Sequence, residues 1–448
     1  MKFKELMLFA LPAALFSCGT SGNGNDDEDN AGTAIPGNIE VIYEANPKVF
    51  AEQDALKAIS DRLDEIQSLG TTVLWLMPIY EQGELKASGS PYCVKDYYSV
   101  NPEYGTAEDL KALVTKAHDL GMKVILDWVA NHTSWDNAWI TEHDDWYTKN
   151  SAGDIVSPND TWTDVADLNY GNAELRSAMI AAMKHWVTEA GVDGFRCDFA
   201  EGVPYDFWSS AIAELRNVKS GLLMLAEGGT AASDLFAAGF DMVYGWSFGE
   251  RLGDVFAGTA SASELYETLA EEERTTPDGK FRMRYSTNHD RASDASTCPE
   301  ALYKTEDGAM AAFVTAAFMG GVPMIYGSQE IGHLQRINFF VYDVMDWDSN
   351  PQVMQEYVDV MNVYVESAEL RGGEMKHYDT GDVLSFHYPA ADGRGLFVMV
   401  NTTGESLTVR TPMERAGGSV RNLMTGESSS LAATVSLDAY QYLIYETL

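Results

Sequence analysis

Four acidic residues each stand at the end of a short strand-like run: Asp127 after Val124-Ile125-Leu126, Asp198 after Gly194-Phe195-Arg196-Cys197, Glu227 after Leu222 to Ala226, and Asp290 after Tyr285 to His289. One such acid could cap a helix or pair with a surface lysine. Four of them at equivalent strand ends, joined by Arg196, His132 and His289, point to one shared site. Paired carboxyl groups in an aromatic-rich cleft suit glycoside chemistry, in which one protonates the leaving oxygen and the other attacks or assists water. The chain has no Gly-x-x-x-x-Gly-Lys loop and no His-Glu-x-x-His helix, which removes the commonest phosphoryl-transfer and zinc-hydrolase chemistries.

Such residues need a scaffold that delivers strand ends to one mouth. Eight apolar or β-branched runs recur between longer amphipathic segments: Ile39 to Tyr43, Thr72 to Leu76, Val124 to Leu126, Gly194 to Cys197, Leu222 to Ala226, Met242 to Tyr244, Arg282 to Ser286 and Met324 to Tyr326. Helices are expected over Ala51 to Leu69, over Thr106 to Leu120 with a Thr106/Asp109 capping pair, and over Ala173 to Ala190, each followed by glycine. This alternation predicts an α/β (β/α)8 TIM barrel over residues 38–370, with its chemistry at the C-terminal strand ends. Residues 133–171 form an insertion after the third strand, and its Trp135, Trp139, Trp146, Tyr147 and Trp162 are too many aromatics for an idle loop. After a helix from Gln352 to Leu370, ended by Gly372, short alternating runs predict a small antiparallel β-sandwich over 371–448. Its strands are expected at Val383 to Tyr388, Leu396 to Asn401, Leu407 to Thr411 and Tyr440 to Tyr445.

The 448 residues carry 68 Asp plus Glu against 30 Lys plus Arg, a net charge of −38 that repels phosphate backbones and excludes a general nucleic-acid partner. A neutral substrate is compatible with that surface, and Trp and Tyr faces suit sugar rings. Lys2 and Lys4 precede an apolar run from Leu6 to Phe16 that is too short to span a bilayer, so residues 1–17 read as a secretion signal. Leu15-Phe16-Ser17-Cys18 resembles the bacterial lipobox, which implies acylation of Cys18 and a membrane contact through the lipid alone. Residues 18–37, with Asp26, Asp27, Glu28 and Asp29 in a row, read as an acidic flexible tether and also resemble the surface-export signal of Bacteroidota lipoproteins. That implies an outer-membrane location, on the cell surface or the periplasmic side, with other surface glycan-utilisation proteins as partners. The remaining Cys93, Cys197 and Cys298 offer no disulfide framework or zinc site.

Four ordered blocks resemble the signatures of glycoside hydrolase family 13, the α-amylase family: Asp127-Trp128-Val129-Ala130-Asn131-His132, Gly194-Phe195-Arg196-Cys197-Asp198-Phe199-Ala200, the Glu227 strand, and Asn288-His289-Asp290. Asp167-Leu168-Asn169, Tyr92 to Thr106, and Gly321 to Gly327 support them, so the likeness covers the chain from about Ile39. It implies a retaining hydrolase of α-1,4-glucans such as starch and maltooligosaccharides, with Asp198 as nucleophile, Glu227 as general acid and then base, and Asp290 gripping sugar hydroxyls. Arg196, two residues before Asp198 on the same strand face, then holds Asp198 ionised. Asp127 orients Arg196, Tyr92 stacks under the ring, and His132 and His289 donate hydrogen bonds to it. Cys197 should face the other side of the strand.

Three departures bear on substrate and metal. Many α-amylases carry a Lys-His pair after the nucleophile that contacts the leaving-group sugar and calcium, whereas this chain has Glu201-Gly202. Calcium is therefore implied only through Asn131 and Asp167, and no organic cofactor is expected. Gly228-Gly229 after Glu227 lacks the usual bulky neighbour, which implies a more open leaving-group side. Two alternatives stay open: a transglycosylase or exo-acting α-glucosidase of the same family, and a surface glycan-binding protein with an inactive barrel.

Overall fold

The computed structural model describes residues 41–229, 232–371, 374–391 and 394–448, all within one compact unit. The signal segment, Cys18, the tether, Ile39 and Gly372 lie outside the described residues. Eight parallel strands close into a barrel: β1 Ile42–Ala45, β2 Val73–Leu76, β3 Lys123–Val129, β4 Gly194–Asp198, β5 Leu223–Ala226, β6 Met242–Tyr244, β7 Phe281–Arg284 and β8 Val322–Tyr326. Closure is direct, because Ile42 of β1 pairs with Val73 of β2 on one side and with Met324 of β8 on the other. All eight strand runs expected from the sequence are found, with ends shifted by up to a few residues.

Strand side chains alternate between two apolar layers. Ile42, Trp75, Ile125, Leu225 and Tyr244 fill the barrel interior. Their neighbours Tyr43, Leu74, Leu126 and Ala226 face outward into the helix layer, and Cys197 joins them there with Phe195, as its position predicts. Cys93, Cys197 and Cys298 are buried free thiols.

The helix Ala107–Asp119 starts with a reciprocal Thr106/Asp109 capping box, and Ala173–Glu189 starts with Asn172 accepting from Glu174 and Leu175. The helix expected over 51–69 is two helices, Ala55–Asp61 and Leu63–Ser68. Asp54 sits in the left-handed region and Arg62 leaves helical geometry between the two, so neither the start nor the middle of that stretch can propagate a helix. The insertion is pinned by an antiparallel ribbon pairing His132–Ser134 with Val165–Asp167. Most of its aromatics build its own core: Trp146 and Tyr147 are buried, and Trp139 packs against Tyr97 and Trp146.

After the helix Pro351–Glu366 the chain forms a six-stranded antiparallel sheet and a two-stranded ribbon, Leu407–Arg410 with Thr434–Leu437. Val383, Phe397 and Val420 of the sheet share an apolar cluster with Leu407 and Val409 of the ribbon. This domain is held to the barrel by Tyr266, whose hydroxyl donates to the Ser385 carbonyl at 3.1 Å, accepts from its N–H at 2.8 Å, and whose ring stacks on His377. Among the described residues, no helix is long and apolar enough to cross a membrane.

Candidate active site

Strand register brings the expected residues together. Asp127 pairs with Arg196 across β3 and β4, and Cys197 pairs with Ala226 across β4 and β5, so Asp198 and Glu227 leave adjacent strands side by side. Gly194 makes this register possible. Its φ is +156°, and a Cβ there would meet the Leu223 carbonyl oxygen at 1.9 Å.

Arg196 is the hub, fully buried at the barrel mouth. Nη1 donates to Asp127 Oδ1 at 2.8 Å and to Asp198 Oδ1 at 3.1 Å, and Nε donates to the Tyr244 hydroxyl at 3.1 Å. Nη2 lies 3.0 Å from Glu227 Oε2, an ion-pair distance without hydrogen-bond alignment. One guanidinium therefore touches three carboxyl groups, and the rings of Trp75, Tyr92 and Tyr244 surround it. Glu227 Oε2 also accepts the Phe199 N–H at 2.6 Å.

The electrostatics correct one expectation. Arg196 does pull Asp198 toward ionisation, but burial and then the charge of Glu227 outweigh it, and the Asp198 carboxyl is held well above the usual carboxylate range. Burial likewise pushes Asp127 up to about 6 against the pull of Arg196 and His289.

His289 lies on the opposite rim. Its Nδ1 meets Glu44 Oε1 at 2.5 Å, and its Nε2 meets the Tyr92 hydroxyl at 2.9 Å and Asp290 Oδ1 at 3.4 Å. Burial would depress this imidazole, yet Asp290 and Glu44 together raise it to about 9, so both ring nitrogens carry protons at neutral pH. The Tyr92 hydroxyl can then accept from His289 and donate to Asp127 Oδ2 at 3.0 Å, completing a chain from Glu44 to Arg196. Tyr92 stacks on His289 with ring centroids 5.5 Å apart. Asp290 keeps 44% of its side chain exposed, the freest carboxylate at this rim.

His132 is buried beside Trp162, with centroids 5.8 Å apart, and burial lowers it to about 4, leaving it neutral. Asn131 precedes it, and Asp167 is the register partner of His132 across the ribbon. These two oxygen donors fall short of the six to eight that calcium takes. Among the described residues, no group of three His, Cys, Asp or Glu gathers to hold a metal. The space beside Gly228 is filled rather than open, by Leu235 and Glu201, and Glu201 Oε1 accepts the Gly229 N–H at 2.9 Å.

Sequence reasoning missed Glu44, Trp75, Tyr244 and Phe199. Trp75 donates to Asp127 Oδ2 at 3.2 Å, and Glu44 is a fully buried acid on β1. A lone glutamate inside the Ile42-Tyr43-Glu44-Ala45 run was the available signal.

A family model described as "Alpha amylase, catalytic domain" matches residues 47–367. The alpha-amylase MalA of Haloarcula japonica is 26% identical over 431 residues, covering 89% of this chain but only 61% of that longer protein. Among solved structures, an alpha-amylase from Lactobacillus plantarum superposes with a TM-score of 0.82 at 30% identity, covering 91% of this chain and 99% of the other. A maltogenic alpha-amylase from Thermotoga neapolitana gives 0.80 at 26% identity, with the same coverages of 91% and 99%.

Proposed function

This chain belongs to the α-amylase catalytic-domain family, glycoside hydrolase family 13, and from that premise we propose that it is a retaining hydrolase of α-1,4-glucosidic bonds in starch and maltooligosaccharides. The observation that carries the proposal is the shared guanidinium: Arg196 Nη1 and Nη2 contact Asp198 and Glu227 at 3.1 and 3.0 Å, which keeps the two carboxyl groups close. Retaining enzymes separate their two carboxyls by roughly 5 to 5.5 Å, too little to seat an attacking water between acid and sugar.

In the proposed reaction Glu227 carries the proton, which removes the charge that helps raise Asp198; the Asp198 carboxylate, paired with Arg196, attacks the anomeric carbon, and the bond to the leaving sugar breaks as Glu227 gives that oxygen its proton. Water then cleaves the glycosyl ester, losing a proton to Glu227, and Asp198 departs as carboxylate. Arg196 stabilises that carboxylate, and Asp290, half in solvent, is placed to accept hydroxyl hydrogen bonds from the ring while positive charge develops. Asp127, Tyr92, His132 and His289 serve as sugar-binding and orienting groups. No step is assigned to a metal.

The same proposal extends to the whole polypeptide: signal segment 1–17, lipidated Cys18, tether 18–37, catalytic barrel 38–370 and β domain 371–448, anchored at the outer membrane beside other glycan-utilisation proteins. The N-terminal residues quoted above support the anchoring part. The decisive experiment incubates the protein with amylose, pullulan, dextran, sucrose and maltotriose and follows products and anomer by NMR. Release of α-configured maltooligosaccharides from amylose is the expected result. A β-configured first product, or binding without turnover, would falsify the proposal; transfer products dominating over hydrolysis would favour the transglycosylase alternative.

A further inference from the structure

Lys48 stands just past the end of β1, in the short helix Pro47–Phe50, and is buried with 3% of its surface exposed. Its Nζ donates to the Gly89 carbonyl at 2.7 Å and to the Phe340 carbonyl at 3.1 Å. Burial lowers this ammonium to about 8 against the pull of Glu103, so it is charged at neutral pH and both bonds are charge-assisted. Buried lysines ordinarily pair with an acid. This one is aimed at two backbone oxygens from distant segments of the chain.

Those segments are the two loops that carry an aromatic wall of the site. Gly89 lies in residues 83–93, and a tight turn links it to Tyr92: the Ser90 hydroxyl accepts the Tyr92 N–H at 3.2 Å, and the Ser90 carbonyl accepts the Cys93 N–H at 3.1 Å. Phe340 lies in residues 332–345 after β8, next to Phe339. Phe339 meets Tyr92 with centroids 5.9 Å apart and His289 at 5.3 Å, both edge to face, so the loops join in a cluster of three rings. The seam between them is close. Gly89 has a φ of +88°, and a Cβ there would lie 2.7 Å from the same Phe340 carbonyl oxygen. Phe340, Val341 and Val344 are 38%, 52% and 49% exposed, so the second loop buries few side chains here and depends on its backbone contacts. Two more of these reach the Lys48 segment, from the Asp343 N–H to the Lys48 carbonyl at 3.2 Å and from the Met345 N–H to the Val49 carbonyl at 2.9 Å.

We propose that Lys48 is a positioning residue whose ammonium clamps the Tyr92 loop to the Phe339 loop, keeping the aromatic wall closed on the reacting sugar. It acts through Tyr92. The Tyr92 hydroxyl meets Asp127 Oδ2 at 3.0 Å and His289 Nε2 at 2.9 Å, so a shift of its loop disturbs the ring that faces the sugar and the groups that orient Arg196 together. A displacement of about 1 Å in such a site can cost on the order of 100-fold in rate. The first strand thus serves the site twice, with Glu44 inside it charging His289 and Lys48 just beyond it joining the walls.

This inference rests on the reaction proposed above, and its test separates the two. Lys48→Met keeps the apolar stem and removes the donors. Gly89→Ala pushes on the Phe340 carbonyl from the other side of the seam without touching the lysine. Each change is made in the full-length protein and in its Tyr92→Ala variant, and kcat/KM is measured on α-maltosyl fluoride, an activated substrate that keeps weak variants measurable. Lys48→Met should lower kcat/KM about tenfold or more in the wild-type background but less than about threefold once Tyr92 is gone, because the two residues act as a unit. Gly89→Ala should show the same dependence on Tyr92. Hydrogen exchange read by mass spectrometry should quicken at least about tenfold in residues 83–93 and 332–345 in both variants, with the barrel strands within about twofold of wild type. Equal fold-losses in the two backgrounds, as general destabilisation would give, refute the clamp, and so does unchanged exchange in those loops. If Lys48→Met does not fold, Gly89→Ala decides by the same criteria. A wild-type protein inert on the fluoride refutes the reaction, while the exchange measurement still decides the clamp.

Discussion

Glu44→Gln is the sharpest probe of how this site is held charged. The exchange keeps the shape of a fully buried side chain and removes the carboxylate that meets His289 Nδ1 at 2.5 Å. His289 is raised from 6.5 to about 9. Those 2.5 pH units, at about 1.4 kcal/mol each, favour the imidazolium by on the order of 3 kcal/mol. The sign follows from linkage. A group whose folded value exceeds its unfolded one stabilises fully below the unfolded value of 6.5 and loses that contribution as pH rises through 9. Asp290 supplies part of the rise, so removing Glu44 should lower folding stability by about 2 kcal/mol at pH 6, and this deficit should shrink toward zero by about pH 9.5. Urea unfolding followed by tryptophan fluorescence at both pH values measures the difference, and histidine NMR locates the titration. A deficit of equal size at both pH values, or a His289 still titrating near 9 in the variant, would refute the reasoning.

Asp198→Ala and Glu227→Gln should each reduce turnover of maltotriose by at least about 100-fold with circular dichroism unchanged; near-normal hydrolysis in either removes that residue from its role. Gly194→Ala should cost more than about 4 kcal/mol of stability, seen as loss of soluble protein, because its methyl would sit within bonding range of the Leu223 carbonyl. Dialysis against EDTA should leave kcat/KM within about twofold and the melting midpoint within about 2 °C, because Asn131 and Asp167 alone supply too few oxygens. A larger loss restored by calcium alone would show that backbone oxygens complete a site.

The barrel was legible because its strands are buried on both faces and so read as apolar runs, and because three of those runs give way at once to an acid, Asp127, Asp198 or Glu227. The two-residue strand period also set Arg196 and Asp198 on one face with Cys197 on the other, as found. Where polarity did not alternate, the sequence was silent. The strands Ser419–Asn422 and Ser428–Ser430 of the β domain are mostly exposed and polar, and nothing local distinguishes them from loops. Glu44 went unnoticed for a different reason. It meets His289 across 245 residues of chain, a contact that exists only because β1 closes the ring against β8. The fate of Asp198 could not be read either, since its charge depends on how deeply it is buried and how near Glu227 comes, and neither is written in the spacing.

The contacts around Arg196 and His289 have a consequence for inhibitors. Among the described residues, five carboxyl groups, of Glu44, Asp127, Asp198, Glu227 and Asp290, share those two cations, so the cleft holds more acid than base. A neutral glucan leaves this imbalance as it is, whereas a ring that turns positive as its bond breaks relieves it. Protonated nitrogen-containing sugar mimics should therefore be held more tightly than uncharged sugars of the same shape, with the preference weakening under high salt.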